Sequence, residues 1–348
     1  MTSGAARDMI DWDLAVRVAG RVAGDGPRVT RTEAEDAVVE LREGAETSTA
    51  HVREFTGLEA PHHHAPVLVV DRPGWIQANA DAFKHLLGPL VDKLTERRTP
   101  KGLTLAVGSR VTGAEVGGVL GFLAGKVLGQ FDPFYAPDGR LLLVAPNIVH
   151  VERELDVKPR DFRLWVCLHE ETHRVQFTAV PWMRDHLYTQ VQTLAESVGP
   201  GGIEDTLKKV GETVRGGPRS MSGVSLVDLM STPEQRAILD GVTGMMSLLE
   251  GHADVVMDGV GPSVIPTVAT IRRRFNQRRK GVGTLDRAMR RLLGMDAKMA
   301  QYRDGAKFVR AVVDKVGMSE FNAVWERAEN LPTKAEISDP DAWITRVL

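Results

Sequence analysis

Two histidines with a glutamate between them, in the pattern His-Glu-x-x-His at positions 169–173, could bind a metal ion and activate water. Pro159 suits the first turn of a helix and Pro181 marks its end. On that helix His169 and His173 project from one face and can share one ion. Glu170, turned by about 100°, would flank the ion and take a proton from water. The alternative is a half-buried helix with two unrelated histidines.

A second segment places three acids, Glu250, Asp254 and Asp258, on one face of an otherwise apolar helix. Acids that face a core need partners. A metal bound by Glu250, with Asp254 orienting a ligand imidazole, would supply those partners. The alternative is a set of surface ion pairs. His252 points nearly opposite to Glu250, so the two do not easily bind one ion on a regular helix.

This combination, HExxH followed by Glu-x-x-x-Asp on a helix, resembles the gluzincin class of zinc metallopeptidases. The resemblance implies that His169, His173 and Glu250 are the zinc ligands and that Glu170 is the general base. It also implies that Asp254 lies behind His169 and orients its ring.

Neighbouring positions test the resemblance. The metzincin pattern needs a glycine and a third histidine where this chain has Gln176 and Ala179, so that class is excluded. In the best-known gluzincins the glutamate follows within a few tens of residues, whereas Glu250 follows His173 by 77. The nearer Glu196 lacks the paired aspartate. Glu250 is therefore preferred, and a helical insertion must separate the two halves of the site.

The whole chain also resembles a bacterial family of zincin-like metalloproteases, often described as associated with deazaflavin-cofactor biosynthesis. The matching segments are 141–148 (LLLVAPNI), 168–177 (LHEETHRVQF), 250–258 (EGHADVVMD), 301–302 (QY) and 330–333 (NLPT). The resemblance implies a zincin-like metallopeptidase core with Zn²⁺ as its cofactor. No feature of the sequence is recognisable as a deazaflavin site.

Zincins align an extended substrate along an edge strand, and Leu141–Val144, followed by Asn147, occupies the corresponding place before the helix. A second electrophile is usually needed beside the zinc. Tyr302 and His252 are candidates from residue type alone, and each could equally be structural.

Composition excludes several other classes of protein. The 348 residues carry 44 basic and 46 acidic side chains, and a net charge of −2 gives no overall field for nucleic acid or membrane. The single cysteine, Cys167, excludes a disulfide framework and is expected in the core. The first residues lack the apolar stretch of a signal peptide, so a cytoplasmic location is expected.

Other segments have less specific patterns. Glycines recur every four residues at 113, 117, 121, 125 and 129, which predicts a smooth helical groove for a neighbouring helix; a membrane or dimer contact is the alternative. Val116–Gly125 is too short to span a bilayer, so no stable membrane insertion is expected. His62–His64 are expected in a solvated loop. Gly216–Gly223 is a candidate for the insertion, with residues 200–225 acting as a lid.

Arg272–Arg291 carries nine basic residues and one acid. Such a segment could bind nucleic acid or anionic lipid, but stacking aromatic residues are nearly absent from it. A solvated helix face is therefore expected, without a nucleic-acid partner.

The elements that position these residues are mainly helical. Residues 8–58 show helical periodicity, with Ile10, Leu14, Val18 and Val22 forming the apolar face. Arg140–Val144 is the best strand, and Val67–Val70 is a strand or turn. We therefore expect an α-rich α+β fold, with a mainly helical region over 1–139. A zincin-like catalytic region over 140–348 would hold a small sheet, an active-site helix and a helical C-terminal part.

Three functions compete. The leading one is a zinc-dependent peptidase or amidohydrolase that acts on a peptide or a small amide. The second is a catalytically silent zincin-fold binding module with a structural zinc, for which Glu170 would have no use. The third is nucleic-acid binding by Arg272–Arg291, which predicts strongly salt-dependent binding.

Overall fold

The computed structural model describes residues 10–59, 65–97, 103–197, 233–280 and 295–348. Its helices are α1 (Trp12–Ala23), α2 (Arg31–Thr56), α3 (Arg72–Arg97), α4 (Leu103–Ala124), α5 (Ala145–Glu154), α6 (Pro159–Ala179), α7 (Pro181–Ser197), α8 (Pro233–Val264), α9 (Val268–Lys280), α10 (Met295–Phe321), α11 (Lys334–Ile337) and α12 (Pro340–Val347). The strands are β1 (Val67–Val70), β2 (Gly129–Asp132) and β3 (Arg140–Val144). This predominance of helix beside a small sheet confirms the predicted α-rich α+β class.

The glycine groove on α4 packs against α1, as the spacing predicts. A Cβ atom added at Gly117 would lie 2.5 Å from the carbonyl oxygen of Ala15, and one at Gly121 would lie 2.6 Å from that of Ala19. The groove ends with α4, because Gly129 belongs to strand β2. The close approach of the two backbones therefore depends on the absence of side chains on this face of α4.

The predicted helix is present as α1, but apart from Ile10, just before it, the residues that it buries are not those whose spacing predicts the helix. Trp12, Ala15, Ala19 and Ala23 are buried, whereas Val22 is 54% exposed. Small alanines face the groove because larger side chains would prevent the close contact with α4. Packing against a neighbouring helix therefore overrides the apolar periodicity on which the prediction rested.

The three-stranded sheet has the order β1-β3-β2. β1 pairs parallel with β3, from Val67 opposite Leu141, and β2 pairs antiparallel with β3, from Gly129 opposite Leu143. β3 is therefore the central strand, and the expectation that it aligns a substrate as an edge strand is wrong. The region boundary predicted after residue 139 runs through this sheet.

Helix α6 occupies the centre of the main hydrophobic core. It begins at Pro159 and ends at Ala179, just before Pro181, as predicted. Its buried residues include Phe162 and Leu168. Cys167, expected in the core, is fully buried and its Sγ lies 3.5 Å from the Leu41 carbonyl oxygen of α2. Contacts with α2 on one side and α8 on the other fix the rotation of α6 about its axis.

Helix α8 is held by α10 through a contact between glycines. A Cβ added at Gly251 would overlap the backbone of Gly305, and one at Gly305 would overlap the Ser247 carbonyl. The two helices therefore meet backbone to backbone, one residue beyond Glu250. This contact fixes the height and rotation of the turn that carries Glu250.

Two predicted segments, His62–His64 and Gly216–Gly223 with the surrounding residues 200–225, lie outside the described residues. Among the helices that the structure does describe, none combines the length and apolar character required to cross a membrane.

Replacing Gly117 by alanine is expected to lower the free energy of unfolding by about 1–3 kcal/mol, because α1 must shift to admit the new methyl group. Gly118, on the same helix, is the matched control, since a Cβ there meets nothing within 4 Å. Alanine at 118 should leave stability unchanged or raise it by up to about 1 kcal/mol. Urea denaturation measures both changes, and equal stability of the two variants would contradict the close contact.

Candidate metal centre

His169 and His173 stand side by side on the buried helix α6. Their Nε2 atoms are 3.2 Å apart, because residues four apart on a helix share one face. Both side chains are largely buried but keep some exposed surface. The two rings therefore direct one nitrogen each toward the same small volume.

Glu250 reaches the same volume from helix α8. Its Oε2 lies 3.5 Å from His169 Nε2, and its Oε1 lies 3.7 Å from His173 Nε2. One ligand atom from each of the three residues lies within 4.8 Å of the other two. Although 77 residues separate Glu250 from His173, α8 packs directly against α6, which brings the two residues together.

The spacing of these atoms suits a tetrahedral zinc ion. Two ligand atoms each about 2.0–2.1 Å from one tetrahedral ion lie roughly 3.3 Å apart. The two Nε2 atoms, 3.2 Å apart, match that value, and each oxygen of the Glu250 carboxylate lies 3.5 or 3.7 Å from one of these nitrogens. Two imidazoles and a carboxylate also form a ligand set that zinc enzymes use. The residues therefore fit a divalent ion without rearrangement of the helices.

Glu170 is buried immediately beside this cluster. Burial raises the pKa of its carboxyl well above the usual range, and the nearby Glu250 and Glu171 carboxylates raise it further. A divalent cation held by the histidines would act in the opposite direction. Gly129 of β2 makes the space for this side chain, since a Cβ there would lie 2.6 Å from Glu170 Cδ.

Glu171 faces the opposite side of α6 and has its own partners. Its Oε2 accepts hydrogen bonds from Arg174 Nε at 2.7 Å and from Thr49 Oγ1 at 3.1 Å. Among the described residues, no arginine or lysine pairs with Glu170 or Glu250 in this way. The negative charge on the histidine side of the helix is therefore the part that a bound cation would balance.

His252, a candidate electrophile, lies behind the cluster. Its ring is fully buried and packs against Phe321 and Trp325, with centroids 5.7 and 5.3 Å away. Burial, with a smaller contribution from His173, lowers its pKa to about 3, so the ring is neutral. This environment gives His252 no surface on which to meet a substrate.

Gln176, which entered the sequence analysis only as a departure from the metzincin pattern, connects His252 to the cluster. Its Oε1 lies 3.0 Å from His173 Nδ1, and its Nε2 lies 2.9 Å from His252 Nδ1. The signal in the sequence is its position, three residues after His173 and so on the same face of α6.

Asp254, expected to orient His169, instead belongs to a cluster of ion pairs. Its carboxylate accepts from Arg272 Nη1 at 3.0 Å and from Arg310 Nη2 at 3.1 Å. Asp258 contacts the same two arginines. These contacts agree with the alternative interpretation of the acids on α8, with Glu250 as the exception.

Tyr302 and the basic segment are the remaining predicted features. Tyr302 is on α10, three residues before the contact at Gly305, but its side chain lies outside the described part of the structure, so its role stays a prediction. In the basic segment, Arg274 pairs with Asp156 and Arg278 with Glu154. Residues 281–291 of this segment lie outside the described residues, so the expectation of a solvated helix face without a nucleic-acid partner stays a prediction.

The candidate ligand set of two histidines and a glutamate, with Glu170 beside it, is consistent with a zincin-like protein, and comparison of the sequence identifies that class. The sequence profile of the family described as "Zincin-like metallopeptidase" matches residues 10–344. The chain therefore belongs to the zincin-like metallopeptidase family.

Structural comparison gives a relative of the same length. The chain is similar to a crystal structure named as that of "a putative hydrolase with a novel fold" from Chloroflexus aurantiacus. The two are 31% identical with a TM-score of 0.69, and the match covers 97% of this chain and 98% of the other. A search of curated proteins finds no significant match. The family match and the similar crystal structure together support the conclusion that this protein is a metallohydrolase.

Replacing Asp254 by asparagine is expected to leave zinc affinity unchanged, because its contacts are to arginines. The free energy of unfolding should fall by no more than about 1 kcal/mol, since half-exposed ion pairs contribute little. Asp258→Asn is the matched control, with the same two partners and one turn farther from Glu250. Chelator competition and denaturation measure the two quantities. A loss of zinc affinity of about tenfold in Asp254→Asn alone would restore its predicted role behind His169.

Proposed function

We propose that this protein is a zinc-dependent hydrolase that cleaves peptide or small amide bonds, with a gluzincin-type ligand set of His169, His173 and Glu250. The observation that carries the proposal is the buried carboxylate of Glu170 beside three converging ligand atoms. The family match and the hydrolase neighbour support it. A cytoplasmic location stays a prediction.

Glu170 is the proposed general base. Zinc bound at this site would polarise a water molecule and a substrate carbonyl. Glu170 would accept a proton from the attacking water and deliver it to the leaving nitrogen, so its buried carboxyl must exist in both protonation states.

Strand β2 is the proposed guide for an extended substrate. It is an edge of the described sheet, and its first residue, Gly129, touches the Glu170 side chain. A peptide added along this edge would hydrogen-bond to the strand backbone and run past Glu170. This assigns to β2 the role that the sequence analysis gave to β3.

The alternative function is a silent binding module with a structural zinc. It accounts for the ligand set but gives Glu170 no purpose. Burying that carboxylate beside Glu250 costs free energy, and a structural site would do better with an apolar residue there. The position of Glu170 therefore favours the hydrolase.

Glu170→Gln is expected to retain one zinc per chain and to lower kcat on cleaved peptides by about 10²–10⁴-fold, because the amide cannot accept the proton. A library of fluorogenic peptides with the zinc-loaded protein supplies the measurement. Glu43→Gln, at an exposed position of α2, is the control and should match the wild type.

Two outcomes would count against the proposal. If the zinc-loaded wild type cleaves no peptide or amide in the library, the binding module becomes the better account. If Glu170→Gln cleaves as fast as the wild type, Glu170 is not the base.

A further inference from the structure

Gln176 is buried in the core and contacts one of the candidate ligands directly. It lies on α6, three residues after His173, and has no exposed surface. Its Oε1 is 3.0 Å from His173 Nδ1, the ring nitrogen that does not face the metal site. A buried amide must satisfy all of its hydrogen-bonding groups, so its other contacts show what it does.

The orientation of this amide is fixed by its two partners on α8. Its Nε2 donates to the Leu249 carbonyl oxygen at 3.1 Å, and a carbonyl oxygen can only accept. The second hydrogen on Nε2 points to His252 Nδ1 at 2.9 Å. A flipped amide would place its oxygen against the Leu249 oxygen. Gln176 therefore presents Oε1, and not its amino group, to His173.

This orientation determines the tautomer of His173. Because Oε1 only accepts, His173 Nδ1 must carry the proton. The lone pair then lies on Nε2, which faces His169 Nε2 and Glu250. That is the nitrogen and the protonation state that a metal ion requires.

His252 shows that the arrangement is maintained at a cost. Because Nδ1 accepts from Gln176, the ring carries a proton on Nε2, and this buried atom has no hydrogen-bond partner among the described residues. A buried N–H without a partner destabilises the fold. An apolar side chain between Phe321 and Trp325 would avoid that loss but would leave Gln176 with an unsatisfied N–H.

We propose that Gln176, oriented by the Leu249 carbonyl and by His252, is a positioning residue that holds His173 with its Nε2 lone pair directed into the metal site. The inference rests on the proposed metal centre. In this arrangement His252 accepts a hydrogen bond from Gln176 and so supports the metal centre, in place of acting as the electrophile.

Zinc affinity and the His173 tautomer test this inference in the full-length protein. In Gln176→Leu, zinc affinity measured by chelator competition should fall about 10–100-fold. In the metal-free variant, ¹⁵N-histidine NMR should show His173 populating both tautomers, whereas the metal-free wild type should show only the Nδ1–H form. Thr172→Val is the matched control, because Thr172 is buried on the same helix and, among the described residues, its hydroxyl bonds to the Leu168 carbonyl alone.

A pair of variants at 252 covers the case in which Gln176→Leu does not fold. His252→Phe keeps a ring between the two aromatic residues but removes the acceptor, so zinc affinity should fall. His252→Asn keeps an acceptor near the Nδ1 position, so affinity should stay closer to that of the wild type. Zinc affinity that is retained in His252→Asn and lost in His252→Phe would show that the hydrogen bond, and not the packing of the ring, supports the site.

The outcomes distinguish this inference from the proposed function. Wild type that binds no zinc would overturn the metal centre itself. Wild type that binds zinc, with unchanged affinity and a single His173 tautomer in Gln176→Leu or in His252→Phe, would overturn the role of Gln176 and leave the metal centre in place.

Discussion

Glu170, which is buried, and Glu250, which is partly buried, hold two carboxyl groups against a pair of imidazoles, and their placement is the constraint that the surrounding structure serves. The charged form of such a buried acid is costly, and a bound cation would stabilise it. Three glycines create the space and hold the helices in register. Gly129 admits the Glu170 side chain, while Gly251 and Gly305 let α10 press against the turn that carries Glu250.

The two adjacent glutamates on α6 show how one helix serves two purposes. Glu171 faces α2, where Arg174 and Thr49 satisfy one of its oxygens, and it ties the helix to its scaffold. Glu170, turned by about 100°, faces the histidines without a basic partner among the described residues. A carboxylate left in that state beside converging ligands suits proton transfer better than structural support. The resulting division assigns stability to one face of α6 and chemistry to the other.

Much of the fold and of the candidate site could be predicted from patterns that act within a single helix. The spacing of the histidines, the prolines at both ends of α6 and the glycine repeat on α4 each act through the geometry of a single helix. The features that the sequence did not predict depend on contacts between elements. Val22 is exposed because α1 turns its alanines to the groove. Asp254 meets arginines 18 and 56 residues farther along the chain. The role of Gln176 depends on its contacts with Leu249 and His252 of α8, which lie more than 70 residues away in sequence.

The central claim is that Glu250, far from the histidines in sequence, completes a zinc site with them. Elemental analysis of the purified wild type, Glu250→Gln and Glu196→Gln, after equilibration with zinc and desalting, tests it most directly. The account predicts one zinc per chain in the wild type and in Glu196→Gln, with loss of most of it in Glu250→Gln. Zinc retained by Glu250→Gln, or no zinc in a folded wild type, would contradict it.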